Sequence, residues 1–336
     1  MGTSMTDLTD HLDRLVADAG FSGVVRIDRD GDPEAVVAHG LAQRGEAIAN
    51  TPQTRFAIAS GTKGLTALTV MSLVADGEVE LDTRVRDLLG ADLPAIDDAV
   101  TVGELLAHRS GIGDYLDEET LGEIDEHVLS VPVHTLATTD GYLPLLEGHP
   151  QKFAPGEDYA YCNSGYVLLA LLTERITGRS FHDLVAERVC APAGMRDTAF
   201  ERTDALPGGV ALGYLDDEGP RTNVLHLPVR GSGDGGIHTT VADVHALWRA
   251  LFEGRIVPAT LVEAMVHPHS DVPDENMRYG LGFWLEPDGD GVVLEGYDAG
   301  VSFRSIHRPG ERRTLTVVAN SSEGAWPIAK WLANEA

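Results

Sequence analysis

Hydrophobic positions repeat with two different periods along this chain, and the change of period divides it. Leu8, Leu12, Leu15 and Val16 recur at helical spacing between Met5 and Ala19, and Gly20 supplies the stop. Two short apolar runs follow, Gly23 to Asp28 and Ala35 to His39, around Asp30-Gly31-Asp32-Pro33, which reads as a hairpin. From about residue 60 to 230 the chain is helical or loop-rich, with helices expected near 61–75, 101–108, 164–177 and 181–189. Strand patterns return from about 280, over Gly280 to Leu285, Val292 to Tyr297, Ser302 to His307 and Arg313 to Ala319. Pro287-Asp288-Gly289-Asp290 and Arg308-Pro309-Gly310 mark turns between them, and a last helix is expected over Ala325 to Asn334.

The two N-terminal strands need the C-terminal ones to complete a sheet of useful width. The expected fold class is therefore α/β (α+β): an antiparallel sheet formed by both chain ends and flanked by helices, plus an inserted, mostly helical subdomain. On this reading residues 5–336 form a single domain, with 5–60 and 230–336 in the sheet subdomain and 61–229 in the helical one. A length of 336 residues and 43% hydrophobic content suit such a packed architecture. No apolar run reaches the length of a membrane span, so no membrane partner is expected. The N-terminus, Met1-Gly2-Thr3-Ser4-Met5-Thr6-Asp7, shows no basic segment followed by an apolar one, and the expected location is cytoplasmic.

Charge narrows the partners. The formal net charge is −28, from 25 basic and 53 acidic residues, the wrong sign for a nucleic-acid binder. Only Lys63, Lys152 and Lys330 are lysines, so a lysine here is not background. Such an acidic, lysine-poor surface is consistent with salt tolerance. Cys162 and Cys190 have neither disulfide-framework nor zinc spacing and read as core residues. The glycine-rich stretch 231–236 lacks the Gly-Lys-Ser/Thr ending of a phosphate loop, and His267-Pro268-His269 has no further ligand at metal-site spacing. The sequence leaves the oligomeric state open.

The candidate chemistry lies in Ala59-Ser60-Gly61-Thr62-Lys63, a small-residue turn running into a long apolar segment. If Ser60 opens a helix, Lys63 stands one turn on and the two Cβ atoms are about 5–6 Å apart. Serine needs a base beside it, and a desolvated lysine can serve as one near neutral pH. A hundred residues later Tyr161-Cys162-Asn163 occupies a loop before the Tyr166–Ile176 helix. Tyr161 can carry protons, and Asn163 offers both a donor and an acceptor.

The ordered pair Ser60-x-x-Lys63 and Tyr161-x-Asn163 resembles the serine β-lactamase and penicillin-binding-protein superfamily. The closer resemblance is to the class C branch, with its D,D-carboxypeptidase, D-aminopeptidase and esterase relatives. Leu105-Leu106-Ala107-His108-Arg109-Ser110-Gly111 and Gly235-Gly236-Ile237-His238-Thr239-Thr240-Val241-Ala242-Asp243 resemble two further segments of that branch. The resemblance implies Ser60 as the acylated nucleophile, Lys63 as its base partner, Tyr161 as a second proton carrier and Asn163 as a substrate-orienting amide. It implies no metal and no cofactor. His108 and Ser110 match a segment that is more often structural.

The family's third motif, Lys-Thr-Gly or His-x-Gly, matches less well. In the alignment chosen from the sequence, Tyr297 takes the Lys/His place, Ala299 the Gly place, and the Gly300 N–H is expected to be the second oxyanion donor beside that of Ser60. Tyr297 carries no positive charge for a substrate carboxylate, with Arg304 the nearest alternative. The resemblance therefore implies a small-molecule ester or amide substrate, with weak β-lactam turnover. The alternatives are a true β-lactamase or D-amino-acid peptidase, and, from another class, a non-hydrolysing ligand-binding or sensor homologue. Acyl transfer would use the same residues.

Overall fold

The computed structural model describes residues 5–118, 122–216 and 218–335. Eight strands and the five longest helices are numbered in chain order. Helix α1 (Met5–Asp18) leads into β1 (Gly23–Arg29) and β2 (Asp32–His39). The turn between these strands puts Asp30 at φ 54° and Gly31 at φ 88°, the two positive values that a tight hairpin requires. Helices α2 (Thr62–Ala75) and α3 (Asn163–Thr177) cross the middle of the molecule, followed by α4 (Val241–Phe252). Then come β3 (Ser270–Val272), β4 (Met277–Tyr279), β5 (Trp284–Leu285), β6 (Val292–Asp298), β7 (Val301–Arg308), β8 (Arg313–Ala319) and α5 (Trp326–Glu335).

These strands form one sheet in the order β2-β1-β8-β7-β6-β5-β4-β3. The N-terminal strand pairs with the last one, antiparallel, from Gly23 opposite Ala319 to Arg29 opposite Arg313. Both ends of the chain therefore build the sheet, as the pattern of polar and apolar positions implies. Period-two alternation sends Val25 and Ile27 to one face, against Leu12, Val16, Ile328 and Leu332 of α1 and α5. Val24, Leu294, Phe303 and Val318 face the other way, into a large core shared with α2, α3 and α4.

Two elements depart from expectation. The segment 280–285 is not one strand, because Gly282 at φ 86° turns the chain between β4 and β5. Helix α4 is absent from the sequence reading. Val241, Asp243 to Trp248, Ala250 and Leu251 are all buried, so the helix lacks the polar face by which an amphipathic helix is recognised. Its start is marked all the same: the Thr240 side chain accepts the Asp243 N–H at 3.1 Å.

Candidate active site

Ser60 sits in a single 3₁₀ turn, Ala59–Gly61, that runs directly into α2. Thr62 pins this turn. Its hydroxyl donates to the Ala59 carbonyl at 2.7 Å and accepts the Ile237 N–H at 3.2 Å. Ala59 holds φ 43°, a left-handed conformation costly for a residue with a Cβ and tolerated only where the surroundings impose it. The strain falls on the residue that sets the direction of Ser60.

Lys63, on the first turn of α2, is only 2% exposed. Its ammonium nitrogen lies 2.9 Å from Ser60 Oγ, 2.8 Å from Asn163 Oδ1 and 2.9 Å from the Asp234 carbonyl. The last two are acceptors only, whereas a serine hydroxyl can also donate. A neutral Lys63 amine can thus give its two protons to Asn163 and Asp234 and turn its lone pair to the Ser60 hydroxyl. Burial favours that neutral state, lowering the Lys63 pKa against the opposing pull of Asp234, Glu118 and Asp114.

Tyr161 meets Ser60 through its hydroxyl, and its ring centroid is 4.8 Å from Lys63 Nζ. The ring is stacked on Trp284 at 5.8 Å and lies 4.4 Å from that of His108. Burial, aided by Glu118, pushes the phenol well above its usual range, so Tyr161 keeps its proton at neutral pH. His108 is also buried and held neutral. Its Nδ1 accepts the Cys162 N–H at 3.1 Å and its carbonyl accepts the Ala160 N–H at 3.0 Å, which fastens the Tyr161 loop.

Asn163 opens α3 and is 2% exposed. Its carbonyl oxygen serves Lys63, and its amide donates to the Leu116 carbonyl at 2.9 Å and Glu118 Oε1 at 3.2 Å. The amide is therefore committed within the protein and holds Lys63 in place. Two important partners went unrecognised in the sequence. Asp114 caps α3 from outside, its carboxylate accepting the N–H groups of Asn163 and Ser164 at 2.7 and 2.8 Å. The loop 231–236 supplies the Asp234 carbonyl, and Gly233 lets that loop approach α3: a Cβ there would lie 2.1 Å from the Tyr166 carbonyl. Neither contact leaves a local sequence signal, because the partners are 49 and 171 residues apart.

The third motif needs correction. A Cβ on Gly296 would stand 2.0 Å from the Ile58 carbonyl and 3.0 Å from the Gly61 nitrogen, so β6 can lie on the serine turn only because residue 296 is glycine. The glycine that this motif demands is Gly296, not Ala299, and the match is Leu294-Glu295-Gly296, three residues earlier than the sequence alignment placed it. Leu294, 2% exposed, stands where Lys or His was expected, and Tyr297 follows the motif. Tyr297 is a lining residue of the Ser60 cavity, and its hydroxyl donates to Glu323 at 2.9 Å. Gly300 is in the β6–β7 turn, where its N–H donates to Ser322 Oγ at 2.8 Å and is not available to Ser60 chemistry. Arg304 pairs across the strands with Glu295 at 3.0 Å.

The sequence profile of the Beta-lactamase family matches residues 8–336. Penicillin-binding protein 4* of Bacillus subtilis is 27% identical, across 93% of this chain and 72% of its own. A D-aminopeptidase of Brucella anthropi is 30% identical, across 94% of this chain and 59% of its own, so this chain spans less than two thirds of that relative. The crystal structure of a penicillin binding protein from Bacillus halodurans superposes with a TM-score of 0.90 at 36% identity, covering 96% of this chain and 99% of that one.

Proposed function

The chain belongs to the beta-lactamase family of serine hydrolases, and from that premise we propose that it cleaves carboxylic esters or small amides through an acyl-Ser60 intermediate. The observation that carries the reading is the Lys63 amine, 2.9 Å from Ser60 Oγ with its other two contacts made to acceptors. Lys63 takes the Ser60 proton as Oγ attacks the carbonyl carbon. The Tyr161 hydroxyl delivers a proton to the departing alcohol or amine and is reprotonated from the Lys63 ammonium. Water then attacks the acyl ester through the same groups, releasing the acid and restoring Ser60.

The oxyanion is received by two backbone donors. One is the Ser60 N–H, which precedes the first N–H of the turn to be bonded within it, that of Gly61 to the Ile58 carbonyl at 2.8 Å. The other is the Tyr297 N–H. Asp298 faces Val301 across the two-residue turn as a bonded pair, so the next residue, Tyr297, directs its N–H away from β7. Strand β5 pairs only with Val292 and Val293, leaving the β6 edge open at Tyr297.

Leu294 in the place of a cation offers nothing to a substrate carboxylate, which favours neutral esters and small amides and leaves β-lactams as weak substrates. Turnover of p-nitrophenyl butyrate and nitrocefin, side by side, tests this. Ester hydrolysis that disappears in Ser60→Ala, with poor nitrocefin turnover, is the expected result. Efficient nitrocefin hydrolysis without ester turnover would replace it with a β-lactamase assignment. A single acylation burst with no steady state would instead mark a binding or sensor protein.

A further inference from the structure

The cavity in front of Ser60 has a volume of about 270 Å³ and an unusual charge balance. Four carboxylates line it: Glu118, Glu123, Asp234 and Asp298. No lysine or arginine does so among the described residues. The one basic side chain in the wall is His238, which burial pulls down to about 4 and so leaves neutral. Lys63 is not among the lining residues, and its amine is already engaged by Ser60, Asn163 and the Asp234 carbonyl. The rest of the wall is apolar, including Leu227 and Val301.

Asp298, at the end of β6, is the half-buried carboxylate of this wall, whereas Glu118 and Glu123 are exposed at its mouth. One Asp298 oxygen accepts the Ala299 N–H at 2.8 Å and holds the β6–β7 turn, and the residue lines the cavity. Asp234, by contrast, is 8% exposed and its carboxylate receives the Tyr115 hydroxyl. Burial, together with the nearby Asp234 and Glu118, raises Asp298 to about 7. Crowded carboxylates in a desolvated wall are relieved by a bound cation and aggravated by a bound anion.

We propose that this cavity selects acyl donors bearing an ammonium group, with Asp298 as the principal counter-ion, in an enzyme of the same acyl-Ser60 mechanism. The proposal rests on the functional reading above and adds the charge of the substrate. It inverts the carboxylate recognition expected of a Lys or His in the third motif. The negative field of the whole chain acts in the same direction, drawing cations toward the cavity.

Three p-nitrophenyl esters of matched length test the charge: 6-aminohexanoate, heptanoate and hydrogen adipate, assayed at pH 8 where Asp298 is ionised. The expected kcat/KM order is ammonium over neutral by about tenfold or more, and neutral over carboxylate by a similar factor. Asp298→Asn keeps an oxygen for the Ala299 N–H and should cut the ammonium-to-neutral ratio about tenfold, with Tm confirming the fold. Equal rates for the three esters, or a preference that survives Asp298→Asn, would overturn the proposal. Glu123→Gln serves as the second variant if Asp298→Asn does not fold, with a smaller loss of the same ratio expected and an unchanged ratio counting against the proposal. Binding to Ser60→Ala separates this result from the mechanism. Hexylammonium should raise the Tm of that variant and hexanoate should not, whereas the reverse order refutes the charge assignment. Turnover that persists in Ser60→Ala would refute the mechanism instead.

Discussion

Lys63 acts as a base only if it can lose its proton, and its surroundings are arranged for that. Two of its three contacts accept hydrogen bonds only, and burial disfavours the ammonium form. The sign of the resulting pH dependence follows. The folded pKa lies below that of an ordinary lysine, so the active amine is populated at lower pH than usual. The kcat/KM for a neutral ester should rise with pH through that depressed value. Lys63→Arg keeps the charge and removes the base, because a guanidinium does not deprotonate. Its expected cost is on the order of 10²–10⁴ in kcat/KM, with the acid limb of the profile lost. An arginine variant with near-normal rate and an unchanged profile would show that Lys63 supplies only charge. The Ser60–Lys63 pair is legible in the sequence because one helical turn separates its members. Asp114, Asp234 and Asp298 are not, because each reaches the site from a segment remote from both motifs.

At the scale of elements, the site is a contact between a strand and a helix start. The open edge of β6 rests on the Ala59–Gly61 turn, and the missing Cβ of Gly296 permits it. Gly296→Ala should force the two apart. Overpacking of this kind costs about 1–3 kcal/mol, read as a lowered Tm. Displacement of the Tyr297 N–H should cost a further 10²–10³ or so in kcat. Unchanged Tm and rate would mean that β6 does not depend on this contact, and would return the third motif to the Tyr297-Asp298-Ala299 register. The one-dimensional alignment placed the motif three residues late, at Tyr297-Asp298-Ala299, because spacing alone does not tell which residue of β6 lies against the serine turn. The close approach to Ile58 and Gly61 shows that Gly296 is the glycine lying on that turn, whereas Gly300 approaches Gly213 and Tyr214. Helix α4 escaped notice for a related reason: a helix buried on nearly every side carries no periodic polar signal.

The whole molecule carries an excess of 28 negative charges, and its ion pairs lie mostly near the surface. Isolated surface pairs contribute little and weaken with salt. Self-repulsion among the excess carboxylates is the larger effect, and screening reduces it. Raising NaCl from about 0.1 to about 1 M shortens the screening length from about 10 to about 3 Å, so Tm should rise. A Tm that falls over that range would mean that the ion pairs outweigh the repulsion. No helix among the described residues is long and apolar enough to cross a membrane.

The sequence by itself determined the class of fold, the return of the N-terminal strands to the C-terminal sheet, and the identity of Ser60, Lys63, Tyr161 and Asn163 as one constellation. The strands and the Ser60–Lys63 pair are carried by short-range spacing, alternation along a strand and one turn of a helix, whereas Tyr161 and Asn163 joined that pair through the family resemblance of the ordered motifs. Tertiary structure alone decided that Asn163 holds Lys63 instead of standing free and that Gly296 is the glycine β6 cannot replace. It also decided that the Gly300 N–H is spent on Ser322 and that the cavity wall is acidic. Those outcomes depend on which distant segments meet. Burial, close approach and the crowding of like charges are properties of that meeting and leave no period in the chain.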